Sequence, residues 1–383
     1  AFIVIALYCP SLKHVKKPRI DYIGAALLAV ALATLVLSVD NTENIFSSLL
    51  SATGISLLTL RLIMTVIVIV AVTAFILVER HSTEPILELS FFRNKNFLVL
   101  SGIAMSVGAA MLGSILYLTQ FNQQVYDASP TESGLMLLPM IAGLMVVSIT
   151  TGQLVTKYGK YKRFMIVGFA VATLAIGSLV TLTPSSPFIH EAIIIVFVGM
   201  GIGAGMPLLN IAIQNEFSQR NLGMATSSSQ LFRGLGSTIG VAIFGSMLTA
   251  GIVASLGDMK DDAYIRTLSH LPQSSQLVTS TSDPNTLLQL NMSDIRTQIA
   301  SGYDAGISKL VLPDSTKAQM KRQFITDQTA YNNKVSNAFT SSLHKIFIVT
   351  ASTMFAALLL SIMLTERPLR TASLDETPGE VTA

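Results

Sequence analysis

Residues 57–79 read LLTLRLIMTVIVIVAVTAFILVE, with one charge inside the run, Arg61, before Glu79 closes it. A helix at the surface of a soluble protein keeps a charged face, and this stretch has none. Roughly 20 apolar residues cross the hydrocarbon core of a bilayer as a helix, and a helix satisfies its own backbone polar groups there. The stretch therefore reads as a membrane-crossing helix.

Working outward, comparable runs lie near 20–39, 97–121, 131–155, 162–183, 189–213, 223–255 and 343–365, the last shorter in apolar content than the others. Charges fall almost entirely between them, at 12% of all residues against 51% hydrophobic, and the mean hydropathy is +0.60. No segment alternates as a barrel strand would. The expected fold class is an all-α integral membrane bundle of about eight transmembrane helices.

The chain opens with AFIVIALYCP, which has neither the basic lead nor the small-residue cleavage site of a signal peptide. We read 1–8 as the remnant of a preceding transmembrane helix, and so expect the chain to be a fragment of a longer protein. Cys9 is the single cysteine, which excludes a disulfide framework and a cysteine metal site. Placing the basic loop 9–19 in the cytoplasm puts most Lys and Arg of the short loops on that side, while 40–56, 122–130 and 184–188 hold none. This is the positive-inside asymmetry. It leaves 80–96 as a cytoplasmic interfacial segment, 257–342 as a long outer loop or hairpin, and 366–383 as a cytoplasmic tail. Within the outer segment, Pro313-Asp314-Ser315 signals a helix start from which the chain can run straight into the last span, 343–365. The segment reads either as a tolerated insertion or as a partner-binding or shielding element.

Several side-chain patterns carry functional expectations. GQLVTKYGKYKR, with Gly152, Lys157, Gly159, Lys160, Lys162 and Arg163, is a tight basic turn between two spans. It reads as a gating loop, whose cations bind neighbouring helix ends in one state and release them in another, or as an ordinary positive-inside loop. Gly199, Gly201, Gly203 and Gly205 lie inside an apolar run, so they are small-xxx-small packing positions rather than a phosphate loop. Gly236 and Gly240 repeat the spacing, while Pro139 and Pro207 are expected to kink their helices. Arg233 sits a dozen residues into its span, an intramembrane charge in search of a carboxylate or backbone carbonyl. Met111, Tyr117, Gln120, Met140 and Asn210 are candidates to line a substrate cavity, the methionines because their side chains adapt to varied apolar ligands. No acidic residue stands in mid-membrane. Glu191, beside His190, is the residual candidate for proton coupling, which is otherwise expected outside this chain. No metal cluster, phosphate loop or catalytic triad is present, so no cofactor and no enzymatic activity are expected.

The order of motifs resembles a family. The basic turn is similar to the cytoplasmic loop motif of the major facilitator superfamily, although Thr156 stands where an acidic residue is often found. LYLTQFNQQVYDASPTESGLMLLP (116–139), the Gly-rich stretch 199–245, PRIDYIGAALL and the closing LTERPLR resemble the 14-helix drug–proton antiporters of the EmrB/QacA type. The resemblance implies two inserted linker helices over 20–79, then five helices of the C-terminal bundle over 97–256, and the last helix over 343–365. It further implies the C-terminal half of a proton-coupled multidrug efflux transporter in the cell membrane. The implied partners are a small hydrophobic or cationic substrate, protons, the lipid bilayer and the missing N-terminal helices of the same protein; no nucleic acid is implied. Two other readings stay open: an uptake symporter for a small polar solute, and a membrane scaffold or sensor acting through 257–342.

Overall fold

The computed structural model describes residues 21–39, 46, 50, 52–82, 86–218, 221–270 and 283–368. The expectations for 1–8, the loop 9–19, most of 40–56 and the tail beyond residue 368 lie outside these. The chain divides into two units, residues 1–91 and 92–383. All regular structure among the described residues is helical, and seven helices are long and apolar enough to cross a membrane.

The first unit is a pair of apolar rods, α1 (Tyr22–Val39) and α2 (Leu57–Glu79), packed on each other. Ser56 caps α2 by accepting the Thr59 N–H at 3.2 Å. At the other end the Glu79 carboxylate is buried and accepts the N–H groups of Ile86 (3.0 Å) and Leu87 (3.3 Å), which turns the chain sharply. Most of the large apolar side chains of α2, including Leu58, Leu62, Val66 and Val70, face outward. That is the pattern of a helix solvated by lipid.

The second unit holds α3 (Lys95–Val125), the short α4 (Pro130–Leu135), α5 (Leu138–Tyr158), α6 (Lys162–Ser178), α7 (Phe188–Glu216), α8 (Leu222–Leu256), α9 (Ala263–Ser269), α10 (Pro284–Asn291), α11 (Ser293–Ser308) and α12 (Asp314–Met363). α7 packs between α5 and α6, α12 joins α6 to α3, and α8 lies on α3 and α12; α7 also touches α3 and closes the bundle. The helix ends fall into two sets. One, the basic end, carries Lys95, the Lys157–Arg163 turn and the close of α12. The other, the cap end, carries α4 and α9–α11.

Pro139 does not kink a continuous helix. The span breaks at Met136–Leu137, and Pro139 occupies the first turn of α5, where its missing N–H has no helical partner to lose. Pro207 does stand inside α7. The small residues set the helix spacing. A Cβ on Gly199 would lie 2.0 Å from the Met140 carbonyl oxygen of α5, and one on Gly203 would lie 2.4 Å from that of Leu144. Gly201 and Gly205 turn the other way, against Ala172 and Phe169 of α6, and Gly236 and Gly240 press on Met105 and Ala109 of α3. α7 thus touches two neighbours at backbone distance on opposite faces.

The 50 residues of α12 make a rod of about 75 Å, over twice the hydrocarbon thickness of about 30 Å. Its polar first half leaves the bundle and packs the cap. There Met259, Tyr264, Ile265, Leu268, Leu287, Leu290, Ile299, Phe324, Tyr331 and Val335 form a buried core of their own. Tyr303 stacks on Phe324 with centroids 4.0 Å apart, and the Tyr331 hydroxyl donates to the Leu287 carbonyl at 2.9 Å. The described residues of this outer segment, 257–270 and 283–342, are therefore a small folded layer with its own apolar centre.

Candidate functional site

Three polar constellations interrupt the apolar bundle. The first is at the basic end. Gly159 ends α5 in the left-handed conformation (φ 66°), its N–H bonded to Val155 O at 2.8 Å, so α6 can begin almost at once. The first N–H groups of α6 need an acceptor, and the chain after α12 supplies it: Glu366 Oε1 accepts Tyr161 N at 2.9 Å and Lys162 N at 3.1 Å. Lys162 Nζ donates in return to Ile362 O at 2.8 Å, at the carbonyl end of α12 where the helix dipole favours a cation. Lys157 lies over the Tyr158 ring, while Lys160 and Arg163 are exposed and Gly152 faces open space.

Beside this, the Glu216 side chain is wholly enclosed at the end of α7. It accepts Asn96 Nδ2 (2.7 Å) and Asn94 Nδ2 (3.2 Å) from the start of α3 and pairs with Arg367 Nε at 3.3 Å. Asn96 bonds Thr365 in both directions, and Asn215 Nδ2 reaches the carbonyls of Arg367 and Pro368. The chain following α12 is therefore a clasp across the basic ends of α3, α6 and α7. Sequence reasoning treated LTERPLR only as a tail motif, because nothing local shows that Glu366 caps a helix two hundred residues upstream.

The second constellation is a stripe on α8. Gly223, Ser227, Gln230 and Gly234 recur at helical spacing and are all exposed. Arg233 stands next to them, partly exposed, and its guanidinium bonds the Gln230 side-chain oxygen one turn back rather than a carboxylate. Exposed Gln214, at the end of α7, approaches Thr226 at 3.5 Å. A polar face on a membrane-length helix is costly against lipid, so it belongs against water or another polar surface.

The five cavity candidates do not behave as one set. Tyr117 is closed into the α3–α8 contact, its ring edge-on to Phe244 and its hydroxyl 3.4 Å from Val241 O. Met140 is buried where α5 meets Gly199. Met111, Gln120 and Asn210 are partly exposed.

The third constellation is at the cap end. Glu191, in the first turn of α7, is fully buried, as is Asn122 in the last turn of α3. The two side chains face each other, and the Tyr126 hydroxyl, one turn beyond Asn122, feels the Glu191 carboxyl. Both carboxyl oxygens, both amide atoms and the Tyr126 hydroxyl are enclosed, yet none closes a hydrogen bond of good geometry. Burial, with the Glu191 charge adding to it, pushes the Tyr126 hydroxyl up to about 12. The same turn of α3 fastens the cap: Gln124 Nε2 donates to Leu288 O (3.2 Å), Asn291 Nδ2 to Gln124 Oε1 (3.0 Å), and Ser336 Oγ to Gln124 O (3.1 Å). Asp127 pairs with Arg296. Asn291 is fully buried in this joint. Among the described residues no group of His, Cys, Asp or Glu is placed to hold a metal ion.

The second unit is thus a set of membrane-length helices drawn to backbone contact by glycine, tied together at both ends and bearing an exposed polar stripe on α8. The chain belongs to the Major Facilitator Superfamily, whose family model matches residues 22–241. It is 33% identical over 204 residues to the multidrug transporter protein MdtP of Bacillus subtilis, covering 53% of this chain and 37% of that protein. It is 33% identical over 256 residues to the uncharacterized MFS-type transporter Rv1877 of Mycobacterium tuberculosis, covering 66% and 36%. A tetracycline resistance determinant of Streptomyces rimosus is 26% identical over 312 residues, 80% of this chain and 82% of that protein. The chain thus spans little more than a third of the length of the first two.

Proposed function

We propose that this chain is the C-terminal half of a proton-coupled multidrug exporter in the cell membrane, working on small hydrophobic or cationic compounds by alternating access. The observation that carries the reading is the exposed polar stripe of α8. Gly223, Ser227, Gln230 and Gly234, with Arg233 and Gln214 beside them, leave one side of an otherwise apolar bundle unsuited to lipid. That side is the wall of a passage, and the helices preceding this chain supply the opposite wall. Glycine contacts on two faces of α7 and the clasp after α12 make the half a stiff body, as rocking of one half against the other requires.

The names of the relatives, a multidrug transporter and a tetracycline resistance determinant, support drug-type substrates. The basic end lies in the cytoplasm under the positive-inside rule, with the cap outside. The test is efflux of ethidium from energised cells producing the protein at full length, with and without an uncoupler. Uncoupler-sensitive efflux that falls when Gln230 is replaced by Leu is the expected result. Efflux indifferent to the uncoupler would remove the proton-driven reading.

A further inference from the structure

The first turn of α7 holds a carboxyl group with nowhere to put a charge. Glu191 has no exposed surface, and its two oxygens close no hydrogen bond of good geometry with the protein. No cation answers it. The elements packed on α7 are α3, α5, α6 and α8. On α5 and α6 the charged side chains are Lys157, Lys162 and Arg163, all at the basic end. The charge within the α8 span is Arg233, bonded to Gln230. On α3, Lys95 starts the helix at the basic end, and Tyr126 is the titratable group that faces Glu191. Of the nearby groups, His190 turns to the Thr181 hydroxyl (3.3 Å), Asp127 is held by Arg296, and Glu132 accepts the Ser129 N–H at 2.9 Å in a capping box.

A buried carboxylate without a counter-ion is costly enough that it is neutral or finds partners. Two partners stand ready: the Asn122 amide, which already faces and interacts with the carboxyl, and the Tyr126 hydroxyl; their polar atoms are equally enclosed, and none closes a hydrogen bond of good geometry. Five enclosed, unsatisfied polar atoms from two helices converging on one spot are more than packing demands, since buried polar groups are otherwise nearly always paired.

We propose that Glu191, Asn122 and Tyr126 form a proton-binding site at the cap end of this half, separate from the passage wall on α8. The proposal rests on the proton-driven reading above and places a carrier of the proton in this chain. With the proton on Glu191 the carboxyl is neutral and fits the closed pocket. When the O–H bond breaks and the proton passes to water, the electron pair stays on the carboxylate, which then draws the Asn122 N–H and the Tyr126 O–H into hydrogen bonds. Asn122 lies in the last turn of α3 and Tyr126 just past its end, between Gln124 and Asp127 of the cap joint. Loss of the proton thus pulls on the turn that holds the cap.

Two measurements test this, one independent of transport. In the purified chain, the infrared spectrum of the wild type minus that of E191Q should show a protonated-carboxyl stretching band that is lost as pH rises, the other carboxyls cancelling in the difference. In cells producing the protein at full length, E191Q should lose ethidium efflux driven by a pH gradient while keeping exchange down the ethidium gradient. Y126F should keep driven efflux but move its pH profile upward, because the carboxylate loses a donor. The proposal is overturned if that difference band is absent, or if E191Q exports against a gradient as the wild type does. If the wild type exports nothing, the transport reading fails by itself, and the infrared band still decides for or against the proton site.

Discussion

Gly199→Ala adds one methyl group at one of the two closest helix contacts of the bundle, the other being Gly236 on Met105. The new Cβ would sit 2.0 Å from the Met140 carbonyl oxygen and 3.1 Å from the Leu144 nitrogen. Both are backbone atoms of α5, so no side chain can rotate out of the way. Reaching ordinary contact means parting α5 and α7 by roughly 1.4 Å at that point, which opens gaps along a joint that Gly203 also sets. Overpacking of this kind costs about 1–3 kcal/mol, and a rigid obstacle puts the expectation at about 3 kcal/mol. Gly152→Ala is the matched control. It lies inside α5 with nothing within 4 Å of a new Cβ, and alanine favours a helix over glycine by up to about 1 kcal/mol. Thermal unfolding of the purified chain in detergent, followed by far-ultraviolet circular dichroism, should show Gly199→Ala melting about 4 °C lower. Gly152→Ala should melt at or slightly above the wild type. A Gly199→Ala protein that melts with the wild type, or a Gly152→Ala protein that falls as far, would refute the reasoning.

Glu366→Ala should lower stability by about 1–2 kcal/mol, the usual loss when a helix N-terminus is uncapped, and Glu366→Gln by less, since an acceptor oxygen remains; equal losses in the two, by the same melt, would contradict the capping role of the Tyr161 and Lys162 N–H bonds. The Tyr126 hydroxyl is raised from 10.0 to about 12 in the folded state, so the unfolded chain releases that proton first. Its contribution is complete below pH 10 and is lost as pH climbs toward 12. Tyr126→Phe should therefore flatten the alkaline fall in melting temperature across that window, and an unchanged fall would show that the hydroxyl is not raised.

The spans were legible because bilayer thickness demands a run length that few other structures need, and α2 and α7 meet it without ambiguity. The continuity of α12 was legible too, since nothing between Asp314 and Met363 breaks a helix. Small-residue spacing marked the close faces of α7. The cap core was not visible. Tyr264, Leu287, Phe324 and Tyr331 are scattered among polar residues, and only tertiary contact collects them. The same applies to Glu191, whose position near a span end was clear but whose partners, Asn122 and Tyr126, come from a helix far away in sequence. Pro139 was misjudged because a proline that starts a helix and one that bends it look alike until the preceding break at Met136–Leu137 is seen.

The bonds between Asn96 and Thr365 join positions 269 residues apart. During synthesis α3 enters the membrane long before its partner exists. Until then the amides of Asn94 and Asn96 wait without their final acceptors, and Glu216 arrives with one buried carboxylate to offer. The bundle becomes a closed ring when Thr365, Glu366 and Arg367 leave the ribosome, so the last few residues of the final helix and its exit decide whether everything inserted before them is sealed. A stop codon just ahead of Thr365 would spare every membrane-crossing segment and still leave the ring unlocked.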